Sequence, residues 1–359
     1  MNEKMLYNVS GAPFIRSKTD TTTIMRDVLI ALVPALAVGV WQFGLKALLN
    51  VVISVVSCVF FEFAYRKLMK KHSTVGDLSA CVTGVLMVYC MPVGATWWMI
   101  VLGSFFAIVV VKQLYGGIGK NFLNPALAGR AFLLSYPVLM TTWAVPAALS
   151  GAVDGTTMAT PLSYLYSADG IALPEYFTIG NLFLGGIPGC IGEVSALALI
   201  LGGAYLLYKK VISWRIPVTF IGTVAILTLV CGREGYGNVE WMLLNLFSGG
   251  LMLGAIFMAT DYATSPVTPN GQLIFGVGCG VLTVLIRYFG GYPEGVSYAI
   301  LIMNLLTWAI DKATPQTQFG ISKADKKVAE AERKAAKAAE KADKLQKQVE
   351  KLHAEGGHK

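Results

Sequence analysis

Between Val28 and Ile310 the chain carries one apolar run after another, separated by short polar turns, and that pattern leaves it a single solvent. A helix needs about 20 predominantly apolar residues to cross a bilayer, and runs near that length occupy most of the chain before Pro315. Composition agrees: 55% of residues are hydrophobic and 14% are charged, where soluble domains run nearer about a quarter charged. An all-α, polytopic membrane protein is the fold class these runs imply. The polar first two dozen residues hold no short apolar core ahead of a small-residue cleavage site, so the first span is expected to be retained.

Hydropathy divides the chain into ten candidate spans, approximately 28–43, 47–65, 78–92, 96–111, 123–139, 194–208, 216–231, 241–259, 273–289 and 296–310. Lys and Arg mark the cytoplasmic side. Arg16, Lys18 and Arg26 precede the first span, Arg66, Lys67, Lys70 and Lys71 follow the second, Lys112 and Lys120 the fourth, and Lys209, Lys210 and Arg215 the sixth. Alternate loops are poor in cations, and the insertion from Met140 to Gly192 has none. Both termini are therefore expected in the cytoplasm and the insertion outside it. Five spans on either side of the insertion imply two inverted halves, since an odd-numbered unit duplicated in tandem inverts. The expected domains are an arm (1–27), a first transmembrane half (28–139), the outer loop (140–192), a second half (193–311) and a cytoplasmic tail (312–359). In both halves the third run ends in a Pro-containing polar turn, "VYCMPVG" and "FMATDYATSPVTPNG". These are either broken helices lining a midplane site or plain helix ends.

The tail is rich in Ala, Lys and Glu with opposite charges at helical spacing, so a solvated helix is expected. The tail and the cytoplasmic loops supply much of the net charge of +8, which reads as topology and contact with anionic lipid, without nucleic acid. The six cysteines lie in or beside apolar runs with no CxxC pair, so no metal or iron–sulfur site is expected.

Three stretches stand out chemically: "DGTTMAT" from Asp154 to Thr160, "KNFLNPALAGRAFLLSYP" from Lys120, and "FMATDYATSPVTPNGQLIFG" from Phe257. The first resembles the flavinylation signal of membrane respiratory complexes, matching at Asp154, Thr157, Ala159 and Thr160 and departing at Met158, where the family usually has Gly. All three resemble the family of the D subunit of Rnf ferredoxin:NAD+ oxidoreductases and the B subunit of sodium-pumping NADH:quinone reductases. The resemblance covers Met1 to about Gln318. It implies FMN joined covalently to Thr160 by a flavin transferase, on an exposed loop outside the bacterial cytoplasmic membrane. It also implies a second, noncovalent flavin, expected to be riboflavin, which Asn121, Asn124 and Arg130 would line.

The alternative for Arg130 is a structural arginine bonded to helix-end carbonyls. Asp261, with Thr260, Thr264 and Thr268, offers the oxygen ligands a translocated cation needs, although Asp also caps helices. Glu62, in "VFFEFAY", is expected near water at a span's cytoplasmic end. The implied function is electron transfer within a multisubunit complex that couples ferredoxin oxidation and NAD+ reduction to Na+ or H+ export. The quinone-reductase subunit and a cofactor-free channel or secondary transporter are the competing readings.

Overall fold

The computed structural model describes residues 19–149, 157–167, 173–233, 235–291 and 294–315, with Val328, Ala331, Glu332 and Ala335 of the tail. Every expected run holds helix where described: α1 (Thr21–Phe43), α2 (Leu45–Leu68), α3 (Ser79–Tyr89), α4 (Trp97–Gln113), α5 (Pro125–Leu133), α6 (Ala196–Tyr208), α7 (Arg215–Val230), α8 (Asn238–Phe247), α9 (Leu251–Met258), α10 (Pro269–Phe289) and α11 (Val296–Ala313). Among the described residues there is no strand, only a bridge between Ala144 and Thr157. The chain forms one compact unit through Thr314 and a second from Pro315, in which Val328, Ala331, Glu332 and Ala335 are helical. Large apolar side chains stand exposed along α1, α2, α7 and α11, among them Val33, Leu49, Phe60, Ile226 and Leu305. Water would penalise such a surface and lipid does not, so these are the faces of a membrane protein.

The ten expected runs differ in length, several being shorter than a full crossing. Among the described residues, α1, α2, α10 and α11 are long and apolar enough to cross alone, and α8 with α9, bent by 65° at their break, has the length and composition of a broken span or a re-entrant pair. The remaining runs give helices of 9 to 17 residues. Short helices leave backbone groups that must be satisfied inside the protein, and the structure supplies partners for them. Beyond α3, where Pro92 stops the helix, Ile191 N donates to Met91 O at 3.2 Å and Gly192 N to Tyr89 O at 3.0 Å. At the bend, Gly249 takes φ +67°, and Arg287 Nη1 and Nη2 donate to Asn245 O at 2.7 Å and Ser248 O at 3.2 Å, closing the end of α8. Two segments widen to π-helix, Phe106–Gln113 within α4 and Gly254–Met258 within α9.

Candidate functional site

Beneath the π-helical ends of α4 and α9 lies a half-open cleft of about 100 Å³, or about 790 Å³ with its mouth included. Ile24, Val28, Leu86 and Phe257 give it apolar walls, while Lys112, Asn121, Asn124, Thr260 and Asp261 supply polar groups. The fold thus brings the expected flavin residues Asn121 and Asn124 together with the expected ion residues Thr260 and Asp261. Asn124 is spent on structure: its Oδ1 caps α5 by accepting from Ala126 N at 3.1 Å and Leu127 N at 3.3 Å, and its Nδ2 donates to Met258 O at 3.2 Å. Asn121 differs, because its buried Oδ1 has no hydrogen-bond partner among the described residues.

Asp261 follows α9, and its Oδ2 accepts from Thr264 Oγ1 at 3.1 Å. Burial pushes its carboxyl up, against the pull of that hydroxyl and the Ala263 backbone. Thr260 Oγ1 donates to Ile256 O at 2.7 Å, and Thr268 Oγ1 caps α10 by accepting from Gly271 N at 3.0 Å, so both hydroxyls serve helix ends.

Lys112 reaches the cleft from an ion pair that contradicts the expectation for Glu62. Glu62 is 0% exposed; its Oε2 accepts from Lys112 Nζ at 2.8 Å and its Oε1 from Thr74 Oγ1 at 2.5 Å. Lys112 Nζ also donates to Ser79 Oγ at 2.6 Å. A carboxylate near a helix end is not thereby near water; here α3 and α4 close over it.

Arg130 does not line the cleft. It is buried on α5, where Nη1 donates to Ser297 Oγ at 2.5 Å and Nη2 is bonded to Glu294. Helix-end carbonyls, its expected structural partners, are held by Arg287 instead. Sequence reasoning misses Glu193, Glu294 and Arg287. Each Glu stands just ahead of an apolar run, in "GEVSAL" and "PEGVSY", which is the available signal.

In the loop between α5 and α6, Thr157 and Ala159 are exposed and Thr160 is 5% exposed; Asp154 lies outside the described residues. Thr160 is the N-cap of a short helix, Pro161–Leu165: its Oγ1 accepts from Ser163 N at 3.3 Å and lies 2.9 Å from Ser163 Oγ. This differs from the exposed acceptor expected. A Thr followed by Pro at the first helical position is a helix start, and the cap draws the hydroxyl inward. The turn is anchored on aromatic residues: Tyr166 Oη donates to Asn245 Oδ1 at 2.6 Å, and its ring lies 5.5 Å from Trp241 and 5.4 Å from Tyr288.

Helices exposing apolar faces, broken spans capped by buried polar groups, and a cleft at their junction define a polytopic helical membrane protein built around internal sites. A family model described as the NQR2, RnfD, RnfE family matches residues 8–320. The chain is 50% identical over 331 residues to the D subunit of the Na(+)-translocating ferredoxin:NAD(+) oxidoreductase complex of Acetobacterium woodii, covering 91% of this chain and 99% of that protein. It is 44% identical over 324 residues to the D subunit of the proton-translocating ferredoxin:NAD(+) oxidoreductase complex of Clostridium ljungdahlii, covering 89% and 97%. It is 36% identical over 352 residues to the D subunit of the ion-translocating oxidoreductase complex of Salmonella arizonae, covering 89% and 100%. The chain belongs to the NQR2, RnfD, RnfE family.

Proposed function

We propose that the chain is the flavin-carrying membrane subunit of a multisubunit complex that couples electron transfer from reduced ferredoxin to NAD+ with export of Na+ or H+. The observation that carries this reading is family membership over residues 8–320, at up to 50% identity to subunits of such complexes. Two of these relatives are named for different ions, so the family alone favours neither.

Thr160 is the proposed anchor of FMN, with Asp154, Thr157 and Ala159 forming the signal a flavin transferase reads. In the folded loop the Thr160 hydroxyl caps a helix of five residues, so attachment requires the first turn to open or to be modified before it packs. One cap costs about 1 kcal/mol to release, a small barrier for an enzyme-catalysed step. The cleft fits a second flavin: apolar side chains would face the ring, and the unpartnered Asn121 Oδ1 would accept from a ring N–H. Bound flavins supply reversible electron transfer, and the protein sets their position and field.

The positive-inside pattern supports cytoplasmic termini and an extracytoplasmic Thr160 loop in the bacterial cytoplasmic membrane. Lys112 no longer counts as a loop cation, but Arg66, Lys67, Lys70, Lys71, Lys120 and Lys209 keep the pattern.

The test is co-expression with a flavin transferase, followed by in-gel fluorescence and peptide mass of wild type, Thr160→Ala and Thr160→Ser. The reading expects fluorescence that survives denaturation, with FMN mass on the Thr160 peptide, loss in the Ala variant and retention in the Ser variant. A dark wild type in the presence of an active transferase would overturn the flavin assignment.

A further inference from the structure

Four charged side chains are buried where α5, α8, α10 and α11 meet the turn before α6, and three of them are engaged. Arg130 holds Glu294 and Ser297, and Arg287 holds the carbonyls at the end of α8. The fourth, Glu193, is 7% exposed, and its Oε1 has no hydrogen-bond partner among the described residues. Ser248 Oγ, fully buried at the break between α8 and α9, also lacks one.

The glycines of that break show where the carboxylate points. A Cβ built on Gly250 would collide with Glu193 Oε1, and one built on Gly249 would lie 3.4 Å from Arg287 Nη2, which bonds Ser248 O. The carboxylate oxygen therefore presses directly on the backbone of the break. The titratable and charged groups facing it are Glu294, Arg130, Cys190 and Arg287. One guanidinium is neutralised by Glu294 and the other is spread over helix-end carbonyls, while the Cys190 thiol, a weak donor, bonds the carboxyl without satisfying Oε1. Glu193 Oε1 is left with a field around it and no donor to bond. A buried carboxyl oxygen without a donor is stabilised by a proton or another positive charge. Carboxylate, hydroxyl and peptide carbonyl oxygens are hard ligands, suited to a proton or a small alkali cation.

We infer that Glu193, together with Ser248 and the backbone of the α8–α9 break, forms a buried site for one exchangeable monovalent cation. This site is distinct from Asp261, which lies at the cleft beyond the other end of α9. Its use in ion export rests on the function proposed above; its occupancy does not.

The experiment uses the assembled complex carrying wild-type chain, Glu193→Gln, Glu193→Asp or Gly250→Ala. Thermal unfolding is followed in sodium chloride and in choline chloride of equal ionic strength, and the infrared carboxyl C=O band is followed as pH is raised. A sodium-dependent rise in the unfolding midpoint that Glu193→Gln abolishes identifies an alkali cation. A protonated-carboxyl band that disappears on raising pH and is missing from Glu193→Gln identifies a proton. Glu193→Asp should weaken the signal and Gly250→Ala should shift it, because its methyl group occupies the oxygen's place while the carboxylate is kept; these two carry the test if the Gln variant does not assemble. Wild type showing neither signal, or Glu193→Gln keeping it, overturns the site. Flavin on Thr160, measured in parallel, reports separately on the functional reading.

Discussion

Replacing Glu62 by Gln should strand a buried ammonium group, and the structure sets the size of the effect. Glu62 and Lys112 have side chains 0% and 3% exposed, so water cannot replace the lost partner. Lys112 Nζ would keep only Ser79 Oγ, at 2.6 Å, while the new amide could still accept from Thr74. Removing one member of such a pair costs about 3–5 kcal/mol, most of it the penalty of an uncompensated buried charge. Lys112→Met should cost a similar amount by stranding the carboxylate. The double variant carries no buried charge and should return to within about 2 kcal/mol of wild type, giving a coupling energy of about 4 kcal/mol or more in a double-mutant cycle. Equilibrium unfolding in mixed micelles, followed by dye labelling of the buried thiols Cys58, Cys90 and Cys279, measures all four proteins. A cost below about 1 kcal/mol for Glu62→Gln, the range of an exposed pair, would show that the pair is not sealed from water. A double variant no better than the worse single one would show that the two charges do not depend on each other.

Gly202→Ala would drive its methyl into Ala31 O, wedging α6 off α1, and should cost about 1–3 kcal/mol in the same unfolding assay. Gly222→Ala, with nothing within 4 Å, should be neutral or slightly stabilising, and equal effects at the two positions would contradict the packing. Asn121→Ala should weaken retention of noncovalent flavin by about 1 kcal/mol, roughly fivefold, while leaving the unfolding midpoint unchanged. Flavin released on denaturation reads this directly, and unchanged retention would remove Asn121 from the cleft's ligand set.

Where helices occur is legible in the sequence because long apolar runs have one stable solution in a bilayer, and every expected run holds helix where described. How far each helix extends is not legible. Pro92 announces the end of α3, but the segment around Ile191 that satisfies its freed carbonyls lies about a hundred residues away, and long-range pairing leaves no periodicity. In the same way, the π-helical segment of α4 packs against α5, that of α9 against α6, α7 and α11, and the bend at Gly249 is closed by Arg287 of α10. At the site, Asn121, Asn124, Thr260 and Asp261 are each readable from local stretches, although their convergence on one cleft is not. Arg130 stands out in the sequence as an intramembrane charge in need of a partner, and it has one. That partner is Glu294, whose position ahead of a span looks like an ordinary loop charge. Glu62 misleads for the converse reason, since nearness to a helix end is not nearness to water. The turn beginning at Thr160 carries a Thr-Pro helix start beneath a resemblance to a flavinylation signal, and that resemblance masks the first.

On the proposed reading, electrons passing through FMN on Thr160 drive ion movement, and inverted membrane vesicles containing the whole complex are the place to see it. Uptake of Na+ and of H+ is recorded as reduced ferredoxin and NAD+ are supplied, for wild type, Thr160→Ser and Thr160→Ala. NADH formation should be coupled to uptake in wild type and in the Ser variant, and uptake should be lost in the assembled Ala variant. Uptake by the Ala variant at the wild-type rate, with no flavin on the chain, would contradict a redox role for Thr160.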